Sequence, residues 1–150
     1  MIARHVETLF CDDIRHEING KLSYIGVYSG TLFVPVFPVT LPKLCISVKI
    51  VTPANEPLRS LTLRVLKDDE ILQEIVFDKE QLVSASEVLV ELSDEERRLR
   101  VQMPQFLLAF SPLHLDKACT LRVRALADHE ELRGVGLIID QISTAADSPA

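Results

Sequence analysis

Alternation of apolar and polar residues along several segments is the feature that most constrains this fold. It is clearest in KLCISVKIV (43–51), LTLRVL (61–66) and ACTLRVRALA (118–127). Successive side chains of a β-strand point to opposite faces, so this alternation predicts antiparallel strands with one buried face and one wet face. In the first segment, Cys45 and Ser47 fall between the apolar residues and are predicted to lie on the wet face.

Short polar segments separate these strands and predict hairpins. Asn19-Gly20 favours positive φ at both central positions of a tight type I′ turn. KDDE (67–70) and DHEE (128–131) have the composition of polar hairpin loops. Each turn is therefore expected to join two neighbouring antiparallel strands.

Prolines and glycines mark where regular strand geometry is predicted to break. Pro35, Pro38 and Pro42 interrupt the third apolar region, which we expect to follow an irregular path before the next strand begins. The last strand contains Gly134 and Gly136, which predict a bulge or a close approach of two backbones.

These patterns together predict an all-β fold, an antiparallel two-sheet β-sandwich of about eight or nine strands. The chain of 150 residues is expected to form one domain at 1–142 and a disordered tail at 143–150. Ser93 and Glu96 have the spacing of a capping box, which predicts at most one short helical turn near 94–98.

Composition and charge limit the classes of partner. Hydrophobic residues make up 47% of the chain and charged residues 25%, which is typical of a soluble globular protein. The formal net charge of −6 disfavours nucleic acid and anionic membranes, because an acidic surface repels phosphate groups. No segment approaches the ~20 apolar residues that a membrane-spanning helix needs.

The cysteine content indicates a reducing compartment. Cys11, Cys45 and Cys119 are odd in number, widely spaced and without a C-x-x-C pair, so neither a zinc ribbon nor a redox pair is predicted. All three lie in apolar segments, where a free cysteine behaves as a small buried hydrophobe. MIARHVETLF (1–10) carries charges where a signal peptide is apolar, and a cytoplasmic location is therefore expected.

Several segments resemble a family of small, uncharacterised bacterial proteins known as a domain of unknown function. The similarity lies in CDDIRHEINGKLSYIGVY (11–28), VFPVTLPKLCISVKI (36–50), LTLRVLKDDEIL (61–72) and ACTLRVRALADHEELRGVGLIID (118–140). The resemblance implies a compact β-sandwich of the immunoglobulin or C2 kind. Its motifs are turns and core strands, so it assigns no catalytic residue.

The hairpin FCDDIRHEINGKLSYIGVYSG (10–30) holds the candidate interface. Tyrosine is enriched at protein interfaces, and the hairpin's other polar residues are expected to face water. A metal site is not predicted here, because adjacent aspartates on a strand point to opposite faces unless a bulge intervenes. The candidate interface residues are Asp12, Asp13, Arg15, His16, Tyr24 and Tyr28.

The sequence favours a non-enzymatic module that binds another protein or itself, with edge-strand pairing as a route to a homodimer. No catalytic residue, cofactor or metal is predicted, and no nucleophile-elbow or phosphate-loop motif occurs. One alternative is a module that binds a small molecule in a pocket or calcium in a carboxylate cluster. The calcium site would use Asp68, Asp69 and Glu70, joined by Asp128, Glu130 and Glu131 only if both loops lie at the same end of the sandwich. A hydrolase with an unrecognised site is a further alternative.

Overall fold

The computed structural model describes residues 3–85 and 101–143, and these form an all-β fold with thirteen strands. The first sheet has the order β2-β1-β5-β8, with β9 also paired to β5. Its strands are β1 (His5–His16), β2 (Leu22–Val27), β5 (Leu44–Pro53), β8 (Val101–Gln102) and β9 (Gln105–Phe110).

The second sheet has the order β3-β13-β11-β6-β7, with β12 also paired to β11. Its strands are β3 (Thr31–Val34), β6 (Leu61–Lys67), β7 (Glu70–Phe77), β11 (Cys119–Ala127), β12 (Glu130–Arg133) and β13 (Leu137–Gln141). A small third sheet pairs β4 (Val39–Leu41) with β10 (Leu113–Leu115). No helix among the described residues is long and apolar enough to cross a membrane.

One hydrophobic core joins the two larger sheets. The apolar face of β5 contributes Ile46 and Val48, and the apolar face of β11 contributes Leu121 and Val123, all fully buried in the same cluster. Burying one such side chain stabilises a fold by about 1.5–3 kcal/mol. The predicted all-β, antiparallel-rich sandwich is therefore confirmed.

The strands are more numerous than the eight or nine predicted, because several predicted strands are interrupted. Between the pairs Arg124↔Arg133 and Leu121↔Leu137, three steps along β11 correspond to four along the neighbouring chain, which is a bulge at Gly134–Gly136. A Cβ on Gly136 would lie 2.8 Å from the backbone oxygen of Leu121. The predicted bulge and close approach are both present.

Two features of the strands differ from the sequence interpretation. β13 pairs with β3 in parallel, whereas every other pair is antiparallel among the described residues. β5 is buried on both faces, so Cys45 and Ser47 do not lie on a wet face. The reason is its central position, since strands on both sides bring side chains over its outer face.

A helix that the sequence interpretation missed follows β7. Helix α1 (Lys79–Ala85) begins with a reciprocal pair of hydrogen bonds between Asp78 and Gln81, in which each side chain accepts from the other's backbone N–H. This is the geometry of a capping box, with aspartate and glutamine in its two positions. The helical turn predicted near 94–98 lies outside the described residues, as does the predicted tail at 143–150 beyond its first residue.

Candidate functional site

The β1–β2 hairpin turns where Asn19-Gly20 predicts. Asn19 has φ 65° and Gly20 has φ 72°, so both adopt the left-handed conformation that this pair favours. The loop is longer than a two-residue turn, because the backbone N–H of Glu17 donates to the carbonyl of Lys21 at 2.8 Å. The longer loop leaves the pairing of the two strands in register, with Asp13 opposite Ile25.

Asp13 forms an ion pair that ties the hairpin to the central strand. Lys43 Nζ lies 2.7 Å from Asp13 Oδ1, and the backbone N–H of Ile14 donates to the same oxygen at 2.9 Å. The hydrogen bond from Lys43 and the one from Ile14 lower the pKa of the Asp13 carboxyl. The Asp13 carboxylate therefore keeps its charge at a lower pH than an ordinary aspartate does. Its partner, Lys43, lies 30 residues further along the chain.

Asp12 has a different partner. The hydroxyl of Tyr28 donates to Asp12 Oδ1, and burial together with this hydrogen bond raises the pKa of Tyr28 to about 12. Gly26 lies near the carboxylate with φ 68°. A Cβ at that position would lie 2.8 Å from Asp12 Cγ, so a larger residue there would require the Asp12 carboxylate to shift.

Tyr24 belongs to a polar network on the first sheet. Its hydroxyl lies 3.2 Å from Ser47 Oγ, and Gln105 Nε2 donates to Tyr24 at 2.6 Å and to Ser47 at 2.8 Å. Ser47 is buried, so these bonds satisfy a hydroxyl that water does not reach. Tyr24 and Tyr28 therefore have separate partners, and Ser47 and Gln105 were missed because they are distant in sequence.

Arg15 and His16 are both exposed near the end of β1. Arg15 Nε lies 3.5 Å from Glu17 Oε1, an exposed contact of the kind that contributes little to stability. His16 pairs with Leu22 across the strands. The hairpin thus brings all six candidate residues into one region, although their side chains form separate contacts rather than a single cluster.

Two exposed apolar residues complete this surface and were missed in the sequence interpretation. Ile25 is 43% exposed and Val27 is 51% exposed, both on β2. Within the described residues β2 pairs only with β1, so its other side is a free sheet edge. Alternation alone does not distinguish a strand face that is covered from one that is left open, which is why these residues did not stand out.

No three His, Cys, Asp or Glu side chains converge among residues 3–85 and 101–143 in a way that could hold a metal ion. The two acidic loops considered for calcium lie at opposite ends of β11: Lys67 pairs with Leu121, whereas Leu61 pairs with Ala127. A calcium site shared by the two loops is therefore wrong.

Two acidic loop residues have structural roles instead. Asp68 has φ 54° and accepts the backbone N–H of Thr120, while its own N–H donates to the carbonyl of Thr120. Asp128 has the same φ and forms the same pair of bonds with Ser60. Each aspartate fastens its hairpin loop to the neighbouring strand.

All three cysteines are free, as predicted, and all three are buried. Cys11 and Cys45 face each other across β1 and β5, a proximity that their spacing in sequence did not reveal. Burial raises the pKa of the Cys11, Cys45 and Cys119 thiols, which lowers the thiolate fraction at neutral pH.

We expect the native protein to react slowly with a thiol reagent such as Ellman's reagent at neutral pH, because the reactive thiolate is both scarce and covered. All three thiols should react once the chain is unfolded in denaturant. Rapid reaction in the native state, or fewer than three reactive thiols after unfolding without reductant, would contradict this assignment.

The fold and the hairpin define a class: a small all-β sandwich with an exposed apolar and charged surface at one sheet edge. The model of the DUF6941 family, a family of unknown function, matches residues 8–140, so the chain belongs to that family. The resemblance to a family of unknown function is thereby confirmed. Neither the curated proteins nor the solved structures provide a match to this chain.

Proposed function

We propose that this protein is a non-enzymatic binding module that contacts a protein partner, or a second copy of itself, through the hairpin surface. The hairpin surface consists of Ile25 and Val27 with the charged side chains of Asp13, Arg15 and Lys43. The observation that supports the proposal best is the pair of exposed aliphatic residues on the free edge strand β2.

The chemistry of the hairpin surface suits protein contact. Ile25 lies directly opposite Asp13, whose ion pair with Lys43 is itself about half exposed. Apolar side chains at the centre and charged groups around them are the usual anatomy of an interface. Burial of the two aliphatic residues would provide affinity, and the charges would select the partner.

The contact is proposed to use side chains rather than an added strand. Gly26, with φ 68°, interrupts the extended backbone between Ile25 and Val27. Irregularities of this kind oppose continuous pairing along a sheet edge. The expected homodimer by edge-strand pairing would then be limited to the regular part of β2 before Gly26.

A double variant, Ile25→Ser with Val27→Ser, should abolish the association because it removes the apolar centre without touching the core. Ile138→Ser is the matched control, since Ile138 is 52% exposed on the second sheet. The measurements are light scattering after size exclusion for self-association and affinity capture from cytosol for a partner.

The expected result is that the native protein and the Ile138→Ser variant associate, whereas the double variant remains monomeric and captures nothing. A native protein that is monomeric at high concentration and captures no partner would contradict the proposal. Equal association by all three proteins would place the contact elsewhere. Thermal melts of each variant provide the check that the fold is intact.

We further propose a reducing, cytoplasmic environment. Three buried cysteines without a disulfide support it, because oxidising compartments favour paired cysteines. The bacterial origin and the immunoglobulin or C2 kind of sandwich stay predictions.

A further inference from the structure

The outer face of the second sheet carries four arginines, although the chain has a net charge of −6. Arg124 on β11 pairs across the strands with Arg64 on β6 and with Arg133 on β12. Directly paired residues of antiparallel strands share a face, so these three side chains form a row. Arg122 lies two residues before Arg124 and therefore on the same face.

The positive charge of this row is only partly compensated. Arg64 Nε lies 2.6 Å from Glu74 Oε2, and Arg133 Nη2 lies 3.5 Å from Glu131 Oε2. Within the part of the chain that the structure describes, Arg124 has no carboxylate partner, and its Nη1 donates to the carbonyl of Val123 at 3.2 Å. Like charges placed opposite each other on a sheet destabilise it, so the stability of the fold does not explain this row of arginines.

A cavity lies beside the central arginine. It has a volume of about 180 Å³ and is lined by Thr62, Arg64, Arg124, Leu126 and Glu131. In the adjacent row of the sheet, Thr62 stands between Leu126 and Val76 in the cross-strand register. Leu126 is 40% exposed and Val76 is 68% exposed, so two exposed apolar side chains lie next to the basic row, with Glu131 opposite Leu126.

We propose that this arginine face, made of Arg64, Arg122, Arg124 and Arg133, binds an acidic segment of a protein partner. A carboxylate of the segment binds between the guanidinium groups of Arg64 and Arg124, where planar donors match it in bidentate geometry. A neighbouring apolar side chain of the segment packs on Leu126. The complementary charge and the exposed side chains of Leu126 and Val76 favour a peptide over a simple anion.

A long polyanion fits this face poorly. Glu74 and Glu131 flank the arginine row through their contacts with Arg64 and Arg133, so a run of successive phosphates meets a carboxylate on either side of Arg124. A segment in which acidic and apolar residues alternate can instead place a single carboxylate beside Arg124. The arginine face lies on the second sheet and the hairpin surface on the first, so the two proposals can fail independently.

The test uses a fluorescently labelled hexapeptide of alternating glutamate and leucine, titrated with the full chain and followed by anisotropy. The variant Arg124→Gln should weaken binding by about tenfold, the value of one charge-assisted hydrogen bond of about 1.4 kcal/mol. The matched control is Arg59→Gln, an exposed arginine that is not part of the arginine face and does not line its cavity, and it should bind like the native protein. Binding should also weaken as NaCl rises from about 50 to about 500 mM.

Two further measurements use the hairpin-surface variant and two competing anions. The Ile25→Ser, Val27→Ser double variant should bind the peptide unchanged, which separates this face from the hairpin surface. Inorganic phosphate and a single-stranded oligonucleotide should compete weakly. No binding by the native chain, equal affinity in the Arg124→Gln variant, or tighter binding of phosphate or oligonucleotide than of the peptide would each overturn the proposal.

Discussion

Replacement of Asp128 by alanine is expected to lower the free energy of unfolding by about 2–3 kcal/mol. The Asp128 carboxylate accepts the backbone N–H of Arg59 at 2.9 Å and that of Ser60 at 3.0 Å. Its second oxygen lies 2.9 Å from Arg4 Nη1. Alanine removes all three bonds and also places a residue without polar side-chain atoms at φ 54°, which costs further free energy.

The loss of stability in Asp128→Ala is large because Arg4, the partner that remains, is nearly buried. The Arg4 side chain is only 10% exposed, and it also donates to Thr52 Oγ1 at 2.9 Å and to the Glu56 carbonyl at 2.7 Å. Removing the Asp128 carboxylate leaves this guanidinium without its counter-charge in a site that excludes most water. A buried charge that loses its partner destabilises a fold more than the pair stabilised it.

The variant Asp128→Asn is the matched control. Asparagine retains an oxygen acceptor for the two backbone N–H groups and tolerates the left-handed conformation, so it loses the charge and the acceptor of the Arg4 hydrogen bond but keeps the two backbone bonds. We expect a loss of about 1 kcal/mol, smaller than that of the alanine variant. Urea unfolding at neutral pH measures both. Equal losses of unfolding free energy in the two variants would show that the hydrogen bonds to the two backbone N–H groups contribute nothing to stability.

The pH dependence follows from the same contacts. Burial acts to raise the pKa of Asp128, but the backbone N–H groups of Arg59 and Ser60 and the guanidinium of Arg4 outweigh it, so the pKa is lowered. A lowered folded-state pKa gives stability that is fully present above the ordinary pKa and is lost as the pH falls through the folded value. The native advantage over Asp128→Asn should therefore shrink below about pH 4. If the native protein instead became more stable relative to Asp128→Asn on acidification, the pKa of Asp128 would not be lowered in the folded state.

Asp128 also shows what sequence reasoning captured and what it could not. The segment DHEE was predicted as a hairpin loop, and it is one. That its first residue fastens the loop to Ser60 depends on β6 and β11 being neighbours, which no local pattern specifies. Local chemistry identifies turns and alternation, whereas strand order depends on packing between segments far apart in the chain.

The β1–β2 hairpin shows the same difference between local structure, which the sequence predicts, and long-range contacts, which it does not. Asn19-Gly20 located the turn, because positive φ at two successive residues is a local requirement. The ion pair of Asp13 with Lys43 and the bonds of Tyr24 with Gln105 arise only after β5 and β9 take their places in the sheet. The parallel pairing of β3 with β13 escaped prediction for the same reason.

Gly26→Ala is the second variant from which we expect a large effect, a loss of about 2–3 kcal/mol in the free energy of unfolding. Two causes act together at Gly26. Its φ of 68° is unfavourable for alanine, and a new Cβ would overlap the carboxylate of Asp12. That carboxylate accepts the Tyr28 hydroxyl, so it cannot move aside without losing the bond.

The variant Gly20→Ala separates the two causes. Gly20 has nearly the same φ, 72°, but no described atom lies within 4 Å of the position that a Cβ would take there. It should therefore lose only the conformational cost, about 1 kcal/mol. Both losses are measured by urea unfolding of the native protein and the two variants. Equal losses at the two glycines would mean that the overlap with Asp12 carries no cost.

A double-mutant cycle then tests whether the rest of the loss in the free energy of unfolding, beyond the conformational cost, comes from the overlap with Asp12. In a background carrying Asp12→Ala, the carboxylate that obstructs the new Cβ is gone, so Gly26→Ala should cost no more than Gly20→Ala does in the native chain. Non-additivity of this kind is the signature of residues in direct contact. If Gly26→Ala costs as much with Asp12 removed as with it present, the strain at Gly26 lies in the backbone alone, and the Asp12–Tyr28 pair does not require a glycine opposite it.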